Sequence, residues 1–148
     1  MTRVSRTERL PLSYAQQRFW LLQQLDPSSV QYNLPAAMRI DGPVDTGILA
    51  RCFEEIIRRH ESLRTTFSTV AGEPMQFIAP AGDFQLVVLD VADPQELAAR
   101  MEAHAGTPFQ LEQGPLFRAQ LLRVNAREHV LLLNTHHIIS DGWSAGVL

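Results

Sequence analysis

Cysteine is nearly absent: Cys52 stands alone in 148 residues. One thiol closes no internal disulfide, so the fold must rest on packing, which suits a reducing, cytoplasmic setting. Its neighbours Ile48, Leu49, Phe53, Ile56 and Ile57 make a buried thiol the expectation. Long apolar runs are missing too. Stretches such as Val130 to Leu133 fall far short of the roughly 20 residues of a membrane span, and the first residues carry no apolar signal core. Nor is positive charge in excess. The 13 basic residues are outnumbered by 16 acidic ones, for a net charge of −3. Apart from Arg3, Arg6 and Arg9 they are scattered, so no basic stripe offers itself to nucleic acid or to a membrane surface.

What is present is ordinary for a globular chain with a core: 45% hydrophobic and 20% charged residues. No repeat, low-complexity tract or linker divides it, so residues 1–148 read as one unit. Ser13 followed by Gln16 resembles a capping box and predicts a helix over Tyr14–Gln24 that stops at Asp26-Pro27-Ser28-Ser29. Gln16, Arg18 and Trp20 read as the docked face of that helix. An extended segment follows at Tyr32–Ile40, with a turn at Asp41-Gly42-Pro43.

Asp45 is an N-cap candidate for a second helix, in which the pairs Ile48/Leu49, Cys52/Phe53 and Ile56/Ile57 recur every four residues up to about His60. Leu63–Val70 and Met75–Ala79 form a hairpin around Ala71-Gly72-Glu73-Pro74, and Phe84–Leu89 is a further strand. Asp93-Pro94-Gln95-Glu96 supplies an N-cap, an N1 proline and an N3 carboxylate for a third helix through Ala105, with Leu97 and Met101 inward. After a loop at Thr107–Gly114, Leu116–Val124 and His129–Thr135 read as paired central strands. Helices and strands do not alternate strictly. That order predicts an α+β, two-layer lobe with a mixed β-sheet and packed helices, not a doubly wound parallel sheet.

The last strand runs into His136-His137-Ile138-Ile139-Ser140-Asp141-Gly142. Side chains alternate along a strand, so the two histidines point opposite ways and only one can enter a given site. That argues against a metal centre, whose ligands must converge, and Cys52 has no ligand spacing to either histidine. Asp141 falls where the strand gives way to a turn at Gly142 and a helix starting near Trp143, whose free N–H groups would lie near an imidazole. A histidine that exchanges protons near neutral pH beside oxyanion-binding N–H groups suits acyl transfer. The plainer alternative is that the histidines close the strand and Asp141 caps the helix. A rival is the Gly-x-Ser-x-Gly elbow of serine hydrolases at Gly142–Gly146 with Ser144 as nucleophile, but only Val147 and Leu148 follow to supply its acid and histidine.

Three stretches together, LSYAQQRFWLLQQL at Leu12–Leu25, RHESLRTTF at Arg59–Phe67 and NTHHIISDGWS at Asn134–Ser144, resemble the condensation domain of nonribosomal peptide synthetases, in the chloramphenicol-acetyltransferase-like superfamily. The resemblance implies amide formation between a donor thioester and an aminoacyl acceptor, both carried on phosphopantetheine arms of peptidyl carrier domains, with an adenylation domain in the same assembly line. No cofactor is implied in the domain itself. His137 maps to the active-site histidine and His136 to a structural one. Asp141 maps to a structural salt bridge, with Arg59 or Arg64 as partner and Arg59 the narrower choice. Gly142 offers an oxyanion-directed N–H, and Trp143 and Ser144 are channel-lining candidates. The motif forms look most like the subtype joining an L-donor to an L-acceptor. Thr135 stands where the family often has Met.

The resemblance covers the whole chain but about the first third of such a domain. It implies an N-terminal lobe whose second lobe is absent, inactive alone and exposing apolar surface. A coenzyme A-dependent acyltransferase of the same superfamily is the alternative enzyme, and a non-catalytic carrier-binding module the alternative of another class.

Overall fold

A computed structural model describes residues 10–82, 84–142 and 144. Seven strands and three helices follow in the order β1 (Leu10–Pro11), α1 (Tyr14–Leu25), β2 (Asn33–Asp41), α2 (Thr46–Arg59), β3 (Thr65–Val70), β4 (Glu73–Ile78), β5 (Val87–Asp90), α3 (Pro94–Gly106), β6 (Phe117–Asn125) and β7 (Glu128–His136). A 3-10 turn at Glu61–Arg64 links α2 to β3.

The helix starts are those the local chemistry dictates. Ser13 accepts from the Gln16 N–H while the Gln16 side chain accepts from the Ser13 N–H, a complete capping box. Asp45 accepts from Ile48 N at 2.9 Å and Asp93 from Glu96 N at 2.8 Å. Glu96 reaches one residue further back than a capping box would, accepting from Ala92 N at 3.0 Å. The hairpin of β3 and β4 turns on Ala71 and Gly72, both at positive φ, the two-residue geometry that matches strand twist.

The strands form two sheets. A small antiparallel one has the order β1-β4-β3, and the main one has the order β2-β7-β6-β5. β7 pairs antiparallel with both neighbours, whereas β5 lies parallel to β6 through the crossover helix α3. The main sheet is therefore mixed and the fold α+β. Both faces of its central pair, β6 and β7, are buried. On β6 and β7, Phe117, Ala119, Leu121 and Leu131 enter the larger core with Trp20 of α1 and Phe53 of α2, while Leu122, Val130 and Leu132 enter a second core with Leu97 and Met101 of α3. The period-two alternation thus builds two cores from one strand pair.

Cys52 is exposed, not buried. Residues four apart on a helix share a stripe, but adjacent residues diverge by about 100°. Leu49, Phe53, Ile56 and Ile57 pack on the core, while Ile48 keeps 51% of its surface exposed and Cys52 follows it outward. The 107–114 loop is pinned by Arg118, which donates to the Thr107 and Pro108 carbonyls and lies 4.0 Å from the Phe109 ring centroid. Gly114 is required there. Its φ is +62°, and a Cβ would come within 2.9 Å of the Thr66 methyl.

Exposed apolar side chains are numerous, with Tyr14, Leu21, Leu25, Met38 and Phe77 among them. Several sit on α1 and on the edge strand β2.

Candidate active site

The site is built where β7 ends. His136 is its last residue, and its N–H donates to the Leu116 carbonyl at 3.0 Å, continuing the ladder to β6. The next N–H, that of His137, turns the other way and donates to the Tyr32 carbonyl at 2.8 Å. The chain then folds into a turn closed by Ile139 N to the His136 carbonyl at 3.1 Å. The two imidazoles therefore enter different surroundings.

His136 is 1% exposed and walled by rings, edge-on to Phe109, Phe19 and Tyr32. Its Nδ1 accepts from the Ile138 N–H at 3.1 Å, so the neutral ring carries its proton on Nε2, a buried atom with no partner among the described residues. Desolvation, with the neighbouring His137 adding to it, pushes its pKa down to about 4. It is a neutral, packed side chain.

His137 is half-buried and lines an open groove of about 280 Å³. One wall is the start of α1, with Ser13, Ala15, Gln16 and Phe19; the other is the turn from His137 to Asp141, together with Ser144. The Phe19 ring lies flat against the imidazole, with centroids 4.8 Å apart and planes 22° apart. His137 Nδ1 is buried without a partner among the described residues, which leaves Nε2 as the nitrogen available from the groove. A larger depression of about 570 Å³ lies between Ala79, Gly82, Phe84 and Val87 on one side and the start of β6 on the other, and none of the described residues from His136 to Ser144 line it.

Asp141 is exposed, and its Oδ1 accepts from the Ser144 N–H at 2.8 Å and from the Ser144 hydroxyl at 2.7 Å. This carboxylate closes the turn as a cap does. Ser144 is accordingly engaged with an acid, not with an imidazole. Gly142 lies in the turn without positive φ, and a Cβ there would meet nothing within 4 Å. Its backbone does not demand glycine, and the space where a Cβ would stand is open. Trp143 and the helix expected from it lie outside the described residues.

The two arginines expected as partners of Asp141 have other acceptors. Arg59 donates to Glu55, four residues earlier on α2, at 2.6 Å. Arg64 pairs with Glu61 at 3.7 Å and donates to the Ala79 carbonyl. The first motif's Gln16 and Trp20 sit as expected: Gln16 completes the capping box at the groove's edge and Trp20 is 7% exposed in the core. Arg18 is exposed.

Three contributors were not singled out from sequence. Phe19 and Tyr32 meet edge-on at 5.2 Å and between them hold His137, one by its ring and the other by its carbonyl. Asn134 lies wholly buried, its amide donating to the His104 carbonyl at 2.9 Å. The signal for Asn134 was a polar residue in a strand otherwise apolar from Val130 to Leu133. Among the described residues no group of His, Cys, Asp and Glu is arranged to hold a metal ion, and no helix is long and apolar enough to cross a membrane.

A mixed sheet with a crossover helix, a smaller sheet packed beside it and a paired-histidine turn opening on a groove define a condensation-type lobe, and the condensation domain family model matches residues 6–148. The chain belongs to the condensation domain family. It is similar to bacitracin synthase 2 of Bacillus licheniformis, at 44% identity over 99% of this chain and 6% of that protein. Chondramide synthase cmdD of Chondromyces crocatus is 49% identical over 93% of this chain and 4% of its own length. Among solved structures, the starter condensation domain of rhizomide synthetase RzmA superposes with a TM-score of 0.84 at 34% identity, covering 92% of this chain and 35% of that one. The X-domain from teicoplanin biosynthesis gives 0.83 at 32% identity, over 92% and 29% of the two chains. The chain thus spans about a third of the solved domains and a few per cent of the synthetases it matches.

Proposed function

We propose that this lobe supplies the catalytic histidine of an amide-forming condensation domain in a nonribosomal peptide synthetase. The observation that carries the reading is the exposure of one imidazole of the pair: His137 faces a groove with Nδ1 shut away, while His136 is sealed in the core. The acceptor's α-amine attacks the donor thioester carbonyl, the C–N bond forms, and the tetrahedral intermediate collapses with loss of the phosphopantetheine thiolate. The amine's surplus proton leaves as the bond forms and the thiolate takes one up. An α-amino group has a pKa of about 8, so roughly a fifth is already neutral at physiological pH and orientation counts alongside deprotonation. His137 Nε2 serves either role, as acceptor of the amine's hydrogen or as base. The Gly142 N–H is the candidate donor to the oxyanion, and Asp141 holds the turn that presents it.

The partners in this reading are donor and acceptor peptidyl carrier domains and an adenylation domain, with an L-donor and an L-acceptor as substrates. Localisation is cytoplasmic. The second wall of the site comes from a second lobe, so the 148-residue chain alone is inactive. The test is condensation between two loaded carrier domains, using the chain extended by a second lobe. The chain contains no lysine, so no side-chain amine of this lobe competes for the donor. His137→Ala should abolish dipeptide formation without loss of folded protein; retained turnover would remove the assignment.

A second reading, transfer from coenzyme A thioesters, is favoured by one likeness. A starter condensation domain of rhizomide synthetase solved in complex with C8-CoA superposes with a TM-score of 0.85 at 34% identity. Competing free acyl-coenzyme A against carrier-bound acyl groups in the same assay separates the two.

A further inference from the structure

Histidines that exchange protons with substrate are commonly held in one orientation by a hydrogen bond on the nitrogen that does not react. His137 lacks that bond among the described residues: its Nδ1 is buried and has no partner. The backbone is fixed, since His137 N–H donates to the Tyr32 carbonyl at 2.8 Å, but this leaves the ring free to rotate about its own side-chain bonds. What bears on the ring is Phe19. Among the aromatic pairs of the described residues, Phe19–His137 is the one stacked face to face; the others meet edge-on or tilted.

We propose that Phe19 is a positioning residue for His137, its ring fixing the imidazole plane so that Nε2 is presented to the groove. The inference rests on the reading of His137 given above. Phe19 is itself well held. It sits on α1 one residue before the buried Trp20, between the capping box at Ser13 and the amide of Gln23, which donates to the Pro27 carbonyl at 2.9 Å. Tyr32 closes on its ring edge-on at 5.2 Å, which limits rotation of the phenyl group in turn. A flat stack blocks rotation out of plane without covering the imidazole edge, of which Nδ1 is buried by other groups and Nε2 is left to the groove. A side chain presented from a rigid helix can set such an angle more closely than one on a loop.

The test combines a spectroscopic signature with kinetics. In proton–carbon correlation spectra of the chain, the imidazole C–H signals of His137, assigned by their loss in His137→Gln, should sit upfield from the ring current of Phe19. Phe19→Tyr should preserve that shift and Phe19→Leu should abolish it; Phe19→Met replaces the leucine variant if the latter does not fold. In the extended chain, Phe19→Leu should lower kcat about tenfold or more with KM within about twofold, and Phe19→Tyr should restore it. Unchanged imidazole signals in Phe19→Leu, or lost stacking with kcat intact, would overturn the proposal. Turnover that survives His137→Ala would instead overturn the role of His137, leaving the spectra to report on the stack alone.

Discussion

The side-chain amide of Asn134 donates to the backbone carbonyl of His104 at 2.9 Å, tying β7 to the last turn of α3 two residues before the histidine pair. A second amide, that of Asn33 on β2, donates to the Ala105 and Thr107 carbonyls at 2.8 and 3.0 Å. Together they satisfy carbonyls that the end of a helix leaves without an intrahelical donor. Asn134→Ala removes one donor from a wholly buried position. It should lower stability by about 1–3 kcal/mol, read as a drop in the urea midpoint. A midpoint unchanged from the parent would show that the tie contributes nothing.

His136 makes stability depend on pH. Its pKa is about 4 when folded, against about 6.5 for a free histidine. Between these values the unfolded chain binds a proton that the folded chain does not. The stability His136 contributes is therefore complete above about pH 6.5 and is lost as pH falls toward 4, by roughly 3 kcal/mol in all. Burial and Arg118 hold the His104 pKa down as well, in the same direction. Urea midpoints of His136→Gln should consequently fall less steeply with acidification than those of the parent. Parallel slopes would mean that His136 is not the group responsible.

Gly142→Ala separates folding from chemistry. With no positive φ and nothing within 4 Å of a Cβ, the substitution should leave the melting temperature nearly unchanged. If the Gly142 N–H faces the oxyanion, the added methyl group would crowd substrate there, and turnover of the extended chain should fall while its stability does not. A variant that loses stability in step with activity would point to a structural role.

Cys52 should react with an aromatic disulfide reagent in the native chain, one equivalent per molecule, without denaturant. Its exposure on the outer side of α2 predicts this. Protection until unfolding would restore the buried thiol that the sequence suggests.

Helix starts were legible because they are local chemistry: Ser13 with Gln16, Asp45, and Asp93 with Pro94 each lie within four residues of the N–H groups they satisfy or replace. The hairpin at Ala71-Gly72 and the pairing of β6 with β7 were legible for the same reason. Cys52 was misread because recurrence every four residues locates a stripe without saying which member of each adjacent pair faces in. The strand β1 was invisible, since two residues carry no period and its partner β4 is over 60 residues away. At the site, the opposite fates of His136 and His137 followed from strand parity. The contacts of Phe19 and Tyr32 with that pair are set by the docking of α1 and β2 against β7, more than 100 residues downstream, and no local pattern announces them.

The alternation along β7 also bears on how this chain can vary in length. Val130 and Leu132 face one core, Leu131 and Leu133 the other, and the same count decides which histidine is sealed and which is open. Inserting or deleting a single residue between Val130 and Thr135 would exchange the two faces for everything beyond it, stranding His137 inside and turning His136 out. Length change is tolerable only where no such parity is kept, as at the Ala126-Arg127 turn between β6 and β7. An indel scan through this hairpin should therefore show an abrupt boundary at the strand ends, with function lost at one residue of added length and no gradual decline.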